Sequence, residues 1–456
     1  MSRDVFVLGV GMLRFGKMLE RPIADLATAA LDAALADAAL DARRIEAVWF
    51  ANSGWGMNGG QDCIRGQVAL QRTALRGASV VNVENACAGG ASALHGAFLS
   101  VSSGSAEVAL ALGAEKICQH SRLKTFASFL GGMDVAALPE LMQRAKELAA
   151  DAPAPTPRAR APRRRARRAW GELPRTAFDA LVIADHYRLD LLRLAKGSLG
   201  GGAKGGDKSP FMDVYAVGAR RHMARYGSTA RQLAVIAAKN HQHGAHNPLA
   251  QIQRAMTADE VLGDRSVAPP LTRAMCAPLG DGAAAAIVCS EGFARAHGLG
   301  RAVRVRASVI ASGTRDLGGD GPGITERVSR KAYDLAGLGP DAIHLAEVHD
   351  ATAFGELHQS EALGFCPEGQ GGVLAESGAT ALGGRLPLNP SGGLECRGHP
   401  IGASGLAQIH ELVTQLRGEA GARQVSGARI ALAQNGGGFL GEEEAAMAIH
   451  VLEGPK

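Results

Sequence analysis

Cys87 lies in a segment whose residue types favour covalent chemistry. The segment reads VENACAGGASALHGA, where VVNVEN is predicted as a buried strand and CAGGASALHGA as the first turns of a helix. A thiol at a helix N-terminus meets the positive end of the helix dipole and free amide donors, which lower its pKa. Small neighbours (Ala86, Ala88, Gly89 and Gly90) leave room for an extended substrate arm or a carbonyl group. Taken alone, the segment also fits a buried structural cysteine.

Two histidines stand where a base could act. His399 follows a Gly-rich approach in NPSGGLECRGHPIGASG, and its His-Pro step predicts a constrained turn. His349 ends the predicted strand HLAEVHD, directly before a helix that Asp350 could cap. An imidazole within hydrogen-bond reach of a thiol can take its proton, and a protonated imidazole can stabilise an oxyanion. Packed or capping histidines are the alternative for each segment.

A third segment, ALAQNGGGFLG, places three glycines after a predicted buried strand. Exposed backbone amides there could cradle an oxyanion. A tight strand turn explains the same residues.

These segments, in this order, resemble those of the thiolase superfamily. EVHDATAF falls where biosynthetic and degradative thiolases have Asn-Glu-Ala-Phe and where the sterol-carrier-protein-type thiolases have His-Asp-Cys-Phe. RGHPIGASG matches the Gly-His-Pro block, and QNGGG falls at the Cys-x-Gly block. GVGMLRFGK and CAPLGDGAAAAIV also look like members of the group. The resemblance covers nearly the whole chain except roughly 140 to 210, and it is strongest to the sterol-carrier-protein-type branch.

The elements that must position these residues alternate between short apolar runs and helices, which predicts a mostly parallel sheet covered on both faces. The resemblance implies a five-layer αβαβα fold of class α/β, with two similar halves and an inserted loop region. We expect the N-terminal half at 1–120 and 228–295, the insert at 121–227 and the C-terminal half at 296–456. The resemblance also implies a homodimer.

The resemblance assigns roles to the residues. Cys87 would attack the carbonyl of a coenzyme A thioester, and His399 would activate it. His349 would replace the Asn that positions a water in the oxyanion hole. The amides of Cys87 and Gly436 would form the second oxyanion hole. Coenzyme A would be a co-substrate, and no bound cofactor is expected.

The chain departs from the family at the second catalytic cysteine. Gln434 stands at the Cys-x-Gly block, and Ala351 stands at the cysteine of His-Asp-Cys-Phe. Cys396 and Cys366 are weak candidates to replace it. Either His349 or a bound water would then transfer the proton, or the reaction follows another pattern.

The favoured function is cleavage of a β-ketoacyl-CoA with coenzyme A, or the reverse condensation, on a bulky or aromatic acyl group. Retro-aldol cleavage of a β-hydroxyacyl-CoA and a non-catalytic lipid-binding or scaffold subunit are the alternatives. A decarboxylating ketosynthase fits less well, because that family has Gly-His-Ser where this chain has Gly-His-Pro. Members of the branch also suggest a small zinc-ribbon/OB-fold partner subunit.

Composition limits the other classes. The formal charge is +5, but seven arginines lie between Arg158 and Arg168, in a Pro/Arg-rich segment (152–168) that could be a lid, a docking strip or a solvated loop. No nucleic-acid partner is expected. The seven cysteines are scattered without a CxxC pair, so no metal site is predicted. No apolar run approaches the length of a membrane span, and we expect a cytoplasmic protein without membrane contact.

Overall fold

The computed structural model describes residues 3–120, 125, 128–129, 131–134, 210–297, 299–314, 321–440 and 443–455. The Pro/Arg-rich segment at 152–168 lies outside these residues, as does most of the predicted insert at 121–227. The predicted domain boundaries therefore stay predictions.

Strands and helices alternate along much of the described chain. The strands are β1 (Val5–Met12), β2 (Ala47–Ala51), β3 (Ser79–Val83), β4 (Val108–Glu115), β5 (Ser266–Ala268), β6 (Leu271–Thr272), β7 (Gly282–Ser290), β8 (Val303–Ser312), β9 (Leu345–Glu347), β10 (Ile430–Leu440) and β11 (Glu443–Glu453). The α-helices are α1 (Ile23–Ala38), α2 (Trp55–Gly59), α3 (Arg65–Leu70), α4 (Gly89–Ser102), α5 (Pro210–Tyr226), α6 (Ala230–Ala245), α7 (Ala258–Gly263), α8 (Glu291–His297), α9 (Ile324–Ala336), α10 (Ala353–Ala362), α11 (Gly371–Glu376), α12 (Gly393–Arg397) and α13 (Ser404–Leu416).

Local sequence explains where these helices begin and which face they bury. In α1, Leu26, Ala30 and Ala34 recur at helical spacing and are fully buried against the sheet. In α6, Thr229 and Gln232 form a capping box at the first turn. Helix α6 therefore starts at Ala230.

Nine strands form one sheet in the order β3-β2-β4-β7-β1-β8-β11-β10-β9. β2 is parallel to β3 and to β4, and β9 is parallel to β10. The other five neighbouring pairs are antiparallel. The prediction of a mostly parallel sheet is therefore wrong. The continuous apolar runs in the sequence arise because helices cover both faces of the sheet. Antiparallel strands covered on both faces have the same pattern, so the runs do not reveal strand direction.

The sheet contains an internal repeat about the β1–β8 pair. From the centre outward, one half reads β1, β7, β4, β2, and the other reads β8, β11, β10, β9. The pairings match as well: antiparallel, antiparallel, then parallel in each half.

Helices and sheet halves stack in the predicted αβαβα order. One core cluster joins α1 to the first half of the sheet, and another joins α9 to the second half. A third contains α4 and α13 together with strands of both halves, so these two helices form the central layer. The N-termini of α4 and α13 meet there, which brings residues from both halves into one place. Among the described residues, no helix is long and apolar enough to cross a membrane.

Candidate active site

Cys87 lies where the chain turns from β3 into α4. Residues Ala86–Ala88 form a short 3-10 turn that leads into α4 at Gly89. Gly90 is required by packing, because a Cβ atom there would lie 2.9 Å from the carbonyl oxygen of Gly402. The beginning of α4 therefore packs directly on the segment that carries His399.

His399 lies in the loop between α12 and α13. Gly398 before it has φ +98°, a conformation that favours glycine. Glu115, at the end of β4, is fully buried and accepts hydrogen bonds from the amides of Gly402 and Ser53. This carboxylate ties the His399 loop to the loop that follows β2, although its own pKa is raised by burial.

The structure brings His399 and Cys87 into direct contact. His399 Nε2 lies 3.2 Å from Cys87 Sγ, and His399 Nδ1 lies 2.7 Å from Ser404 Oγ. The Ser404 hydroxyl donates to the Pro400 carbonyl oxygen at 2.9 Å, so it accepts from Nδ1–H. Nε2 is therefore the unprotonated nitrogen, and it faces the thiol as a base should.

Both members of this pair are neutral at rest. Burial raises the pKa of Cys87 to about 12, with smaller contributions from the charges of Glu115 and Glu84, while the Gly438 amide partly offsets the rise. Burial also lowers the pKa of His399 well below its ordinary value. The expectation of a lowered thiol pKa was therefore wrong, because loss of solvation outweighs the helix N-terminus. Cys87 needs a base at the moment it attacks.

His349 lies at the end of β9 beside His399. The two ring centroids are 5.1 Å apart with the planes nearly perpendicular. The Asn435 side-chain amide donates to His349 Nδ1 at 2.9 Å, which leaves the proton on Nε2. Burial lowers the pKa of His349 to about 3, and the Arg397 charge adds to this effect. His349 is thus a neutral imidazole that can donate from Nε2.

The residues next to His349 do not act as first expected. Thr352 caps α10 by accepting from the Gly355 amide, so Asp350 is not the cap. Asp350 is fully buried and accepts from the Leu394 amide at 2.7 Å, which ties β9 to α12. Burial raises its pKa well above the ordinary value, and the Glu356 charge adds to the rise.

The triglycine segment of β10 approaches Cys87 through Gly438. The amide of Gly438 acts on the Cys87 thiol and lowers its pKa, against the larger effect of burial. Gly438 has φ +64°, and the β10–β11 pairing is interrupted there, between Gly437–Ala446 and Phe439–Glu444. Gly436 also lines the site, but it is paired with Met447 in the ladder. The sequence predicted the amide of Gly436 at this place. The amide that acts on the sulfur belongs to Gly438, two residues further along.

The positions of the missing second cysteine are filled by residues that cannot replace it. Gln434 accepts from the His349 amide at 2.8 Å, and Ala351 has no acid or base. Cys396 is fully buried in α12 and, like Cys366, is not among the residues that line the cavity around Cys87. Cys276, which the sequence did not single out, does line it.

A cavity of about 840 Å³ connects these groups to the surface. Cys87, His349 and His399 share it with a glutamate, Glu444, which no sequence pattern singled out. Its aromatic wall consists of Phe129, Phe211, Tyr215 and Phe439, and its cationic lining residues are Lys17, Arg254, Arg265 and Arg273.

Cys87, His349 and His399 could also chelate a soft divalent ion. Their ligand atoms all lie within 4.8 Å of one another. A closed tetrahedral zinc site holds its ligands at about 2.0–2.3 Å from the metal, so these groups would have to move closer together. Their direct thiol–imidazole contact fits acyl transfer without such movement.

Comparisons with known proteins identify the family of the chain. Residues 5–147 match the family described as thiolase, N-terminal domain, and residues 323–450 match the family described as thiolase C-terminal domain-like. The chain is 33% identical over 455 residues to an acetyl-CoA acetyltransferase of Methanothermobacter thermautotrophicus, covering 99% of each chain. It is 36% identical over 448 residues to sterol carrier protein 2 of Homo sapiens, covering 95% of this chain and 70% of that protein.

The chain is also similar to one further relative and to two solved structures. The benzoylsuccinyl-CoA thiolase subunit BbsB of Thauera aromatica is 31% identical over 446 residues, 96% of each chain. The structure titled Ltp2-ChsH2(DUF35) aldolase superposes with a TM-score of 0.70 at 22% identity, covering 99% of this chain and 98% of that chain. Human mitochondrial 3-ketoacyl-CoA thiolase superposes with a TM-score of 0.62 at 16% identity, covering 100% and 99%. The chain belongs to the thiolase family and is an acyltransferase of the thiolase class.

Proposed function

We propose that the enzyme exchanges acyl groups between a β-ketoacyl-CoA and coenzyme A through a thioester on Cys87. The contact of 3.2 Å between His399 Nε2 and Cys87 Sγ carries this proposal. His399 takes the thiol proton as the sulfur attacks the β-carbonyl. The Cα–Cβ bond then breaks, which leaves the acyl group on Cys87 and releases a shorter acyl-CoA. Coenzyme A attacks the acyl thioester in the second half-reaction and regenerates Cys87.

Two sets of donors stabilise the developing oxyanions. The amide of Gly438 already points at the Cys87 sulfur, so it would reach an oxygen on the carbon bonded to that sulfur, together with the Cys87 amide. We propose Gly438 for the role that the sequence assigned to Gly436. His349 Nε2–H, held by Asn435, supplies the donor for the second oxyanion, directly or through a water.

The cavity supports a bulky or aromatic acyl group and a coenzyme A tail. Its aromatic wall offers flat apolar surface for an aromatic acyl chain. A relative named as a benzoylsuccinyl-CoA thiolase subunit supports the same substrate class. Arg254 makes an exposed ion pair with Glu260, and such a pair is weak enough to exchange for a phosphate.

The acyl intermediate can be tested directly. Mass spectrometry of the protein after incubation with acetyl-CoA or benzoyl-CoA is expected to show an acyl adduct on Cys87. Cys87→Ala should lose the adduct, whereas Cys63→Ala, which removes an exposed cysteine, should keep it. An adduct that persists in Cys87→Ala would remove Cys87 as the nucleophile.

Retro-aldol cleavage of a β-hydroxyacyl-CoA is the second candidate. The absence of a cysteine at Gln434 and Ala351 favours it, since that chemistry needs no second cysteine. A structural neighbour is titled as an aldolase, although at 22% identity it supports the fold alone. Thiolysis consumes free coenzyme A and retro-aldol cleavage does not. A screen of β-keto and β-hydroxy acyl-CoAs with and without coenzyme A separates the two.

We further propose a homodimer and a second subunit. β3 is one of the two edge strands of the sheet, and within the described part of the chain no strand pairs with its outer edge, so it could pair with a second copy. The zinc-ribbon/OB-fold partner is the one that the resemblance implies, and a relative named as a thiolase subunit supports the presence of a second chain. Co-purification of the native protein tests the partner.

A further inference from the structure

The proposed acyl transfer needs an acid and base at the α-carbon, and no cysteine occupies the positions where the family keeps one. We propose that Glu444 is this acid/base, and this inference rests on the proposed function. Glu444 lies near the start of β11 and lines the cavity that contains Cys87, His349 and His399.

The triglycine segment of β10 places Glu444 and Cys87 close together. A Cβ atom at Gly436 would lie 3.0 Å from Glu444 Cγ and 3.4 Å from its Oε1, so the glutamate side chain lies over Gly436. Two residues along, the Gly438 amide acts on the Cys87 thiol and lowers its pKa. Glu444 and Cys87 therefore lie against the same short glycine segment, and both line the cavity. A substrate whose β-carbon bonds to the sulfur can then present its α-carbon to the carboxylate.

Neighbouring side chains hold Glu444 in this place. Gln359 of α10 donates to its Oε1 at 2.9 Å. Phe439 is paired with Glu444 across the strands, and the Tyr215 ring packs on Phe439 with centroids 5.7 Å apart. Burial raises the pKa of Tyr215 well above its ordinary value, and the charges of Glu444 and Cys87 add to the rise. Both acidic groups therefore act on the same phenol in the cavity.

Cys276 is the competing candidate because it also lines the cavity. Its thiol donates to the Thr272 carbonyl oxygen at 3.3 Å, and the residue packs against the cluster formed by α5, α6 and α10. Burial raises its pKa to about 12. A thiol in these surroundings is a poorer proton donor than the carboxyl group of Glu444, which lies over the glycine segment.

The proton balance of the two half-reactions closes with Glu444 in this role. In the first, the Cys87 proton goes to His399, sulfur bonds to the β-carbon, the Cα–Cβ bond breaks, and the Glu444 carboxyl protonates the α-carbon. In the second, the Glu444 carboxylate takes the proton of the coenzyme A thiol, which attacks the acyl group. The released Cys87 thiolate recovers its proton from His399.

Exchange of α-protons isolates this step from the chemistry of Cys87. Wild-type enzyme in D2O is expected to place deuterium at the α-carbon of acetyl-CoA, propionyl-CoA or succinyl-CoA. Glu444→Gln should slow exchange and turnover by about 10²- to 10⁴-fold. Glu291→Gln, a change at an exposed surface ion pair, is the matched control and should leave exchange within twofold. Cys276→Ala should retain exchange well above the rate of Glu444→Gln. Glu444→Asp keeps the acid at a greater distance and should fall between wild type and Glu444→Gln, with an unchanged melting temperature.

Failure of this inference differs from failure of the proposed function. Alkylation of Cys87 by iodoacetamide depends on His399 and should stay within twofold in Glu444→Gln. Three results would overturn the role of Glu444. Glu444→Gln could exchange α-protons as fast as the wild type, or Cys276→Ala could lose exchange instead. The wild-type enzyme could also fail to exchange any of the three thioesters. Absence of any acyl adduct on Cys87 in the wild type would overturn the proposed function itself.

Discussion

Ser404 determines which nitrogen of His399 faces Cys87. Its hydroxyl is committed as a donor to the Pro400 carbonyl, so it can only accept from His399 Nδ1. The base is thus prepared by a residue that does not touch the sulfur. Because both reacting side chains rest uncharged, the ion pair forms only during attack, when an acyl oxygen is present to be stabilised.

Removing the Ser404 hydroxyl tests this arrangement. Ser404→Ala leaves His399 Nδ1 without its acceptor, so the ring can rotate or change tautomer. We expect turnover to fall roughly 10- to 100-fold, as for other partners that orient a functional imidazole. Ser377→Ala removes an exposed hydroxyl that bonds only the Leu374 carbonyl and the Ala379 amide, and turnover should not change. Equal rates in the two variants, measured by steady-state kinetics, would contradict the role of Ser404.

The raised pKa of Cys87 predicts a distinctive pH profile for alkylation. A thiol with a pKa near 12 supplies more thiolate as pH rises, about tenfold for each unit, throughout the range from 7 to 10. We therefore expect the rate of iodoacetamide reaction at Cys87 to climb across this range, whereas the unfolded chain should level off above its ordinary value near 9. A plateau already reached below pH 7 would indicate a preformed thiolate–imidazolium pair and contradict the neutral resting state.

At the scale of elements, the glycine segment of β10 shows what sequence could and could not predict. The sequence indicates a buried strand followed by glycines, because both signals are local. It does not indicate which amide reaches Cys87, since that depends on where the pairing with β11 is interrupted. Glu444 gave no signal for the same reason: a glutamate near a strand start is ordinarily solvated, and only tertiary packing places this one in the cavity.

The same contrast applies to the other predicted features. Cys87 and His399 were recognisable because their turns have unusual residue types, but their contact joins residues 312 positions apart. The direction of the pKa shift at Cys87 was missed because the helix N-terminus is local and burial is not. The sequence did not predict strand orientation, because a run of buried apolar residues looks the same in parallel and in antiparallel strands.

Gly438→Ala tests the contribution of the β10 segment. A Cβ atom there would lie 2.8 Å from the Gly132 carbonyl oxygen, so the amide that donates to Cys87 would be displaced. Gly427 has a similar φ of +69° with no atom within 4 Å of its Cβ position. Both alanine variants should lose about 1–2 kcal/mol of stability from the left-handed backbone. Only Gly438→Ala should lose acylation of Cys87 by more than tenfold; equal acylation in both variants argues against the amide's role.

At the scale of the whole molecule, β3 is the edge strand through which we propose that two copies of the chain pair. Val81 at its centre is 41% exposed, which is unusual for a valine in a strand. An edge strand with exposed apolar residues pairs readily with another edge, and charged residues prevent such pairing. The proposed dimer therefore depends on a short segment far from the reacting groups.

Val81→Lys tests the proposed dimer. Wild-type protein is expected to sediment at twice the mass of the chain, and Val81→Lys should sediment as a monomer with its melting transition retained. Leu335→Lys, at a site 61% exposed on α9, is the matched control and should stay dimeric. Sedimentation equilibrium that gives one identical mass for all three proteins would reject pairing through β3.

The division of the reactive residues between the two halves also has a consequence during synthesis. The ribosome adds Cys87 312 residues before it adds His399, and at about 5–20 residues per second that interval lasts tens of seconds. Throughout it the nascent chain has a thiol without its base, in a cell that contains abundant acyl thioesters. Under the proposed mechanism, reactivity appears only when the second half docks, so an incomplete or misassembled chain would not accumulate an acyl group at this cysteine through the catalytic route.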